Sequence, residues 1–401
     1  MEKLKNSYLR ISKNKMLTSN IKFKVFEKSK KKSKIIKIFN EIKKNLNDKS
    51  NLFFLSLTNK YNYSFNKKDL KKYKNFSNYR LIGMGGSSLG AKAIYSFLRS
   101  RIKKKFEFLD NIRIDKLKKS KSLNIVISKS GNTLETISNF NSLNNVKNSI
   151  FLSEYKSNYL KNVSNELKKE IFEHKDYIGG RYSVLSETGM LPACLMGLDY
   201  KKFKRLNYLI GNKNFQKQLI LNVSSILDFH NRKKTNSIIL NYDEGSQELF
   251  FWYQQLVAES LGKKNRGILP VISLMPKDNH SLMQLYLDGT KNNFFTFFRV
   301  ENKTSNKINK RYLKKNYSYL SNKRTDDILK AQFEATQNVF KRKKIPFRSF
   351  VVKKRDEKTL GELFTFFILE TILLGKVLKI NPFNQPQVEL IKNETFKILK
   401  N

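Results

Sequence analysis

Two apolar runs in the first half of the chain are each followed by a turn of small polar residues and then by an amphipathic segment. The first unit reads YRLIGMGGSSLGAKAIYSFLRS from Tyr79. The second reads LNIVISKSGNTLETISNFNSL, with a strand at Ile125–Ser128 and a helix from Leu134. The change from a short apolar run to helical spacing predicts strand–turn–helix units. Strands that alternate with helices predict a parallel sheet covered on both faces.

The second half repeats this plan. SIILNY (Ser237–Tyr242) is predicted to be a strand and QELFFWYQQLVAESLGK a helix, and NFFTFFRV, FRSFVVKK and a long apolar helix from Thr359 follow. We therefore expect an α/β chain with a helical, peripheral extension at residues 1–75 and a C-terminal arm with a helical tail at residues 381–401. Between them lie one α/β domain at residues 76–205 and a second at residues 206–380.

The charge of the chain is strongly positive. Lys and Arg number 80 against 33 Asp and Glu, which gives a formal net charge of +47. Such a balance is typical of nucleic-acid-binding proteins. The lysines are spread over the whole chain, however, and no basic run alternates with aromatic residues as a base-stacking surface would. A genome rich in A and T would account for the abundance of Lys, Asn, Ile and Phe, and a selected contact with a polyanion is the alternative. We expect weak, salt-sensitive contact with nucleic acid and no specific nucleic-acid partner.

Cysteine usage and apolar runs indicate the compartment. The single cysteine, Cys194, excludes an internal disulfide and fits a reducing cytoplasm. The first residues lack the apolar core of a secretory signal. The longest apolar stretch, Leu363–Leu378, is interrupted by Glu370 and Lys376, which favours a buried helix over a membrane span.

Both turns in the first half have the composition of anion-binding loops. GMGGSSLG (Gly83–Gly90) allows a sharp turn with backbone amides directed at an anion on a helix N-terminus. It is neither a dinucleotide fingerprint nor a P-loop, because Ser88 occupies the last glycine position and no GK[ST] follows. A tight turn without a ligand is the alternative.

The second turn, SKSGNTLET (Ser128–Thr136), is more specific. Its hydroxyl donors are Ser128, Ser130 and Thr133, and Lys129 adds a positive charge ahead of a helix whose dipole favours anions. A solvated helix cap is the alternative. Two such loops in one sheet predict a phosphate site.

Three further polar residues stand in apolar surroundings. Glu259, His280 and Lys392 offer a base, an imidazole and a cation, which are the groups needed to move protons on a sugar. Taken singly, Glu259 could instead be an exposed glutamate paired with Lys263 four residues on, and a lone histidine is more often a surface or core residue. No cluster has metal-ligand spacing, so neither a metal nor a cofactor is expected.

Six motifs in order resemble the glucose-6-phosphate isomerase family over about residues 79 to 392. They are GMGGSSLG, SKSGNTLET, GGRYSVLSETG (Gly179–Gly189), QQLVAESLGK (Gln254–Lys263), DNHSLMQLYLDG (Asp278–Gly289) and NQPQVELIK (Asn384–Lys392). The resemblance implies two flavodoxin-like sugar-isomerase domains with parallel sheets flanked by helices. It also implies reversible isomerisation of glucose 6-phosphate to fructose 6-phosphate, a step of glycolysis and gluconeogenesis, in the cytoplasm.

The same resemblance assigns catalytic roles. Glu259 corresponds to the base that moves a proton between C2 and C1 through an enediol. Arg181 corresponds to the arginine that stabilises the enediolate charge, and Lys392 to the lysine that assists at the ring oxygen. His280 corresponds to the ring-opening histidine, which the partner subunit of a homodimer supplies.

Substrate-binding residues follow in the same way. The expected sugar and phosphate contacts are made by Gly86, Ser87, Ser128, Lys129, Ser130, Thr133, Gly180, Gln255 and Gln385.

The chain departs from the family pattern at three places. Glu187 stands where a small residue is usual, Asn384 replaces an aspartate, and Gln387 replaces a glycine. The SKSGNT loop also differs from the usual SKTFTT form. Two alternatives therefore stay open, a bifunctional phosphoglucose/phosphomannose isomerase and a non-catalytic sugar-phosphate-binding protein, although the latter has no need of a base.

Overall fold

Strands and helices alternate along most of the chain in the computed structural model, which describes residues 15–27, 29–47, 49–115 and 121–400. The strands within these ranges are β1 (Lys15–Met16), β2 (Ile21–Lys24), β3 (Asn78–Ile82), β4 (Lys105–Leu109), β5 (Ser122–Ile127), β6 (Ser149–Ser153), β7 (Ile171–Glu173), β8 (Asn236–Asn241), β9 (Leu269–Leu274), β10 (Asn293–Val300) and β11 (Phe347–Val352).

The α-helices follow the same numbering. They are α1 (Ser33–Lys44), α2 (Leu89–Phe97), α3 (Leu134–Asn141), α4 (Tyr159–Glu166), α5 (Glu187–Leu195), α6 (Leu206–Gly211), α7 (Lys213–Asn231), α8 (Gln247–Leu261), α9 (Met283–Asp288), α10 (Thr325–Arg342), α11 (Glu357–Val377) and α12 (Val388–Lys400).

The strands form two sheets. The first has the order β4-β3-β5-β6-β7, and all its neighbouring pairs are parallel. The second has the order β1-β2-β11-β10-β8-β9, in which β8 to β11 are parallel. All residues of β5 and β10 are buried, as expected for parallel strands covered on both faces. The predicted α/β class is confirmed. We propose a domain boundary near residue 205, because the parallel strands of the first sheet all precede that residue and those of the second sheet all follow it.

The N-terminal residues differ from the prediction. Helix α1 agrees with the expected helical character, but β1 and β2 are strands, and β2 pairs antiparallel with β11 at the edge of the second sheet. The description of residues 1–75 as a helical, peripheral extension is therefore wrong for residues 15–24, while residues 1–14 lie outside the described ranges. The signal was weak, because IKFK alternates apolar and basic residues over only four positions.

A buried ion pair explains why a glutamate interrupts the long apolar helix. Arg348 on β11 donates to both oxygens of Glu370 on α11, and both side chains are buried. Tyr253 on α8 donates its hydroxyl to Glu370 at 2.9 Å, and Arg348 also donates to the side-chain oxygen of Asn222 at 2.9 Å. A buried charge of this kind requires such partners. The network fixes α8 between the second sheet and α11.

Helix α11 is buried along nearly its whole length, so the interpretation of its apolar stretch as a core helix is confirmed. Among the residues that the structure describes, no helix has the length and apolarity needed to cross a bilayer.

Candidate active site

One buried arginine joins three segments that are far apart in sequence. Arg181 lies in a 3-10 segment, Gly180–Leu185, and its guanidinium donates from Nε to Ser260 Oγ at 2.9 Å. Nη1 donates to Glu259 Oε2 at 3.1 Å and to Gln385 Oε1 at 2.6 Å. Nη2 donates to the carbonyls of Pro382 at 2.6 Å and Asn384 at 3.1 Å. All five N–H donors of the side chain are therefore used, which fixes its orientation.

The carboxylate of Glu259 is held from two sides. One oxygen accepts from Arg181, and the other accepts from Gln255 Nε2 at 2.9 Å. Gln255 precedes Glu259 by four residues on α8, so both side chains lie on the same face of the helix. The Glu259 side chain is 30% exposed, whereas Arg181 is 1% exposed. The result is an oriented carboxylate that stays open to a ligand on one side.

The first predicted loop lies directly against the arginine segment. A Cβ atom on Gly86 would stand 2.2 Å from the carbonyl carbon and oxygen of Gly180, so only glycine allows this approach. Ser183 Oγ donates to the Gly86 carbonyl at 3.3 Å. Gly85 has a φ of +52°, and a Cβ there would stand 2.8 Å from Gln255 Nε2. The backbone around Gly86 therefore borders the arginine segment and Gln255, the glutamine that donates to Glu259.

The second predicted loop follows β5, the neighbour of β3, so both loops leave the same edge of the first sheet. Ser128 Oγ lies 2.8 Å from Thr133 Oγ1 and accepts from the Gly131 amide at 3.1 Å. Ser130 Oγ accepts from the amide of Asn132 at 3.3 Å. Thr133 directly precedes α3. The structure thus brings the hydroxyls of this loop together at a helix N-terminus.

The ammonium group of Lys129, in the same loop, contacts two other residues of the chain. Its ammonium donates to the Asp176 carbonyl at 2.6 Å and lies 3.7 Å from Glu154 Oε1. Burial lowers the pKa of Lys129, and the charges of Glu154 and Asp176 oppose that change. An anion near this loop would stabilise the ammonium form.

Sequence reasoning did not select Lys263, Ser260 or Tyr182. Lys263 Nζ donates to the carbonyls of Asn381 at 2.7 Å and Asn384 at 2.5 Å, and it fastens the C-terminal loop beside Arg181. Burial and the charge of Arg181 lower the pKa of Lys263 to about 8.

Tyr182 Oη lies 2.8 Å from Ser260 Oγ and donates to the Pro382 carbonyl at 3.1 Å. The contacts of these residues join parts of the chain that are distant in sequence, so no local pattern predicts them. Only the motifs in which they stand could have marked them as site residues.

Two predicted catalytic residues lie outside this cluster in the single chain. His280 is exposed at the end of a 3-10 turn, Lys277–His280, that follows β9. Lys392 is exposed on α12 and donates to Glu389 at 2.7 Å. Within the described ranges, no hydrogen bond or ion pair connects either residue with Arg181 or Glu259.

Two of the three departures from the family pattern are accounted for by contacts. Asn384 contributes its carbonyl to Arg181, and its side chain accepts from Lys263 at 3.3 Å. Glu187 is buried and accepts from Tyr61 Oη at 2.6 Å and from the Ser64 amide at 2.9 Å, which ties the N-terminal segment to the arginine segment. Gln387 is exposed, and nothing in the structure explains its replacement of a glycine.

Comparison with known proteins identifies what this arrangement is similar to. Residues 66–401 match the family described as phosphoglucose isomerase. A probable glucose-6-phosphate isomerase from Methanococcus maripaludis is 33% identical over 80% of this chain and 78% of its own length. A glucose-6-phosphate isomerase from Mycoplasmopsis pulmonis is 34% identical over 80% of this chain and 82% of its own.

Solved structures show the same fold. A hypothetical protein from Thermus thermophilus superimposes with a TM-score of 0.81 at 23% identity, covering 92% of this chain and 96% of that one. A glucose-6-phosphate isomerase from Chlamydia trachomatis gives a TM-score of 0.67 at 21% identity, covering 83% of this chain and 72% of that one.

The contact between Gly86 and Gly180 gives a first prediction. We expect Gly86→Ala to lower the free energy of unfolding by about 1–3 kcal/mol, because the added methyl overlaps the Gly180 carbonyl group. Urea-induced unfolding followed by circular dichroism measures the change. Gly211→Ala is the matched control, since its Cβ would meet nothing within 4 Å, and its effect should stay within about 0.5 kcal/mol. Equal stability of the two variants would contradict the close approach.

Proposed function

Because this chain belongs to the phosphoglucose isomerase family, we propose that the cluster around Arg181 is the centre at which it isomerises its substrate. The chain catalyses the reversible isomerisation of glucose 6-phosphate to fructose 6-phosphate, the reaction named by the matched family and by its relatives. It is an aldose–ketose isomerase of glycolysis. These names favour this single activity over the bifunctional and non-catalytic alternatives.

Glu259 acts as the base in this proposal. Its carboxylate takes the proton from C2 of the open-chain aldose, the C–H electrons form the C1–C2 double bond, and the carbonyl electrons move onto O1. Return of the proton to C1, together with transfer of the hydroxyl proton from O2 to O1, gives the ketose. The observation that carries the assignment is the two-sided clamp by Arg181 and Gln255, which leaves the carboxylate oriented and accessible.

Arg181 supports the reaction through its charge. The enediolate carries negative charge on oxygen, and a fixed, buried guanidinium beside it stabilises that charge without reorganising. All its donors are occupied in the free chain, so direct contact with the sugar requires one partner to move. Gln385 is the partner best suited to move, because its side chain lies on an exposed loop and accepts from the same nitrogen as Glu259.

The two loops at the edge of the first sheet hold the phosphate and the sugar. Gly86 lies against Gly180 in the segment that carries Arg181, and we assign backbone contacts with the substrate to Gly86, Ser87 and Gly180. The hydroxyls of Ser128, Ser130 and Thr133 lie at the N-terminus of α3, where the helix dipole favours an anion, and Lys129 adds charge beside them.

We further propose that the complete site forms in a cytoplasmic homodimer. His280 is exposed in the single chain and is available to open the sugar ring in the partner's site. Lys392 lies on α12, which has no buried residue in the single chain and exposes Val388, Ile391, Phe396 and Leu399. Covering this helix would bring its lysine into a less hydrated environment, where it could assist at the ring oxygen.

Replacing the proposed base tests the function directly. We expect Glu259→Gln to lower kcat by about 10²–10⁴ while leaving the fold intact, because the amide cannot accept the proton. A coupled assay that starts from fructose 6-phosphate measures the rate. Glu248→Gln is the matched control, since Glu248 lies on the same helix 3.6 Å from Lys92 and should keep nearly the full rate. A rate near that of the unmodified chain for Glu259→Gln would contradict the assignment.

Mixing two inactive variants tests the shared site. If His280 crosses to the partner, dissociated and reassociated His280→Ala and Glu259→Gln chains give mixed dimers with one intact site each. Random pairing then restores about a quarter of the original activity. If each chain contains its own complete site, the mixture should show only the average of the two parent variants.

A further inference from the structure

A basic pocket lies between residues 58–65 of the N-terminal segment, residues 200–205 and Lys358. It has a volume of about 600 Å³, and its lining includes five cationic side chains, those of Lys201, Lys202, Lys204, Arg205 and Lys358. No carboxylate is among its lining residues in the described ranges. None of these residues belongs to the site around Glu259.

The volume of this basic pocket, about 600 Å³, lies in the range of about 300–1,000 Å³ that is usual for small-molecule sites, so a small phosphorylated molecule would fit. A second groove of similar volume, 650 Å³, lies between α10 and the second sheet and provides a comparison. Six cations line that groove, but so do the carboxylates of Glu301, Asp326, Asp327 and Glu334. Two of these carboxylates already form ion pairs with lining cations, Glu301 with Lys22 at 3.3 Å and Asp326 with Arg299 at 2.5 Å. The absence of lining carboxylates therefore distinguishes the basic pocket from a surface that is merely rich in lysine.

Lys204 differs from the solvated lysines that cover the surface of this chain. Its side chain is buried, and its ammonium donates to the carbonyls of Ser56 and Leu185. It also lies 4.8 Å from the ring centres of Tyr61 and Tyr63. No ion pair involves Lys204 among the described residues. Burial lowers the pKa of its ammonium well below the usual range, and the charge of the buried Glu187 opposes that change only in part. An anion bound in the pocket would offset more of the cost of burying this cation.

Two lysines at the rim remain available to a ligand. Lys201 and Lys358 are exposed, and within the described ranges neither forms an ion pair, whereas Lys202 lies 3.3 Å from Asp199 and Arg205 lies 3.0 Å from Glu362. The buried ammonium and the two rim lysines together suit a ligand with several adjacent negative charges.

We propose that this basic pocket binds the phosphate chain of a polyphosphorylated small molecule at a site separate from the isomerase centre. The lysines contact the phosphate oxygens, with Lys204 at the base of the pocket and Lys201 and Lys358 at its rim. Tyr61, Tyr63 and Tyr200 also line the pocket, so a nucleoside carried by the phosphate chain would meet aromatic side chains there.

The same pocket is connected to the catalytic arginine through the chain. Leu185, whose carbonyl accepts from Lys204, is the last residue of the segment that carries Arg181. Tyr61 lines the pocket and donates to Glu187, two residues further on. An occupied pocket therefore acts on the backbone that positions Arg181, without any contact with the sugar.

Isothermal titration tests the proposal. Inorganic tripolyphosphate and ATP are each titrated into the full chain at constant ionic strength, with saturating fructose 6-phosphate present to occupy the catalytic loops. We expect both to bind. Tighter binding of ATP would indicate a contribution from the nucleoside, and equal affinity would indicate that the phosphate chain suffices. Absence of binding, or binding that is found only when fructose 6-phosphate is left out, would overturn the separate site.

A matched pair of double variants separates this pocket from general charge attraction. Lys201→Ala/Lys358→Ala removes the two rim lysines, and we expect binding about tenfold weaker with unchanged unfolding. Lys330→Ala/Lys341→Ala removes two exposed lysines from the groove beside α10 and should leave the affinity unchanged. Equal weakening in both variants would mean that net charge alone attracts the anion, and the proposal would be wrong.

Discussion

The hydrogen-bonding fork of Arg181 is the interaction on which the site depends. One buried side chain holds the Glu259 carboxylate, the Ser260 hydroxyl and the C-terminal loop in a single arrangement. A lysine could not replace it, because an ammonium has three donors and no planar fork. The position of the base is therefore set by an arginine 78 residues away in sequence as well as by its own helix.

The surroundings of Arg181 explain why the ends of the chain matter. Phe53 packs against Tyr182 with ring centres 4.9 Å apart and against Phe383 at 5.6 Å. The N-terminal segment and the C-terminal loop thus meet at the residue next to Arg181. Glu187 adds a buried anchor to the N-terminal segment. The N-terminal part of the chain, whose role could not be inferred from its sequence, forms one wall of this arrangement.

Local patterns predicted the α/β elements well, because strand–turn–helix units are short and periodic. The helix beginning at Leu134 and the strands around Ile125 and Ser237 lie where their patterns placed them. Strands β1 and β2 were missed, since β1 pairs with β2, and the pairing of β2 with β11 depends on residues more than three hundred positions away. The residues around Arg181 were selected by motif, but Lys263 and Tyr182 act through contacts that no local pattern contains. His280 and Lys392 remain proposals, because a single chain leaves both outside the cluster.

The most direct test of the account is the turnover of Arg181→Lys, measured alongside its free energy of unfolding. If the fixed fork stabilises the enediolate and orients Glu259, kcat should fall by about 10²–10³ even where the variant stays folded. A folded Arg181→Lys variant that turns over fructose 6-phosphate at nearly the original rate would contradict the central role assigned to this arginine.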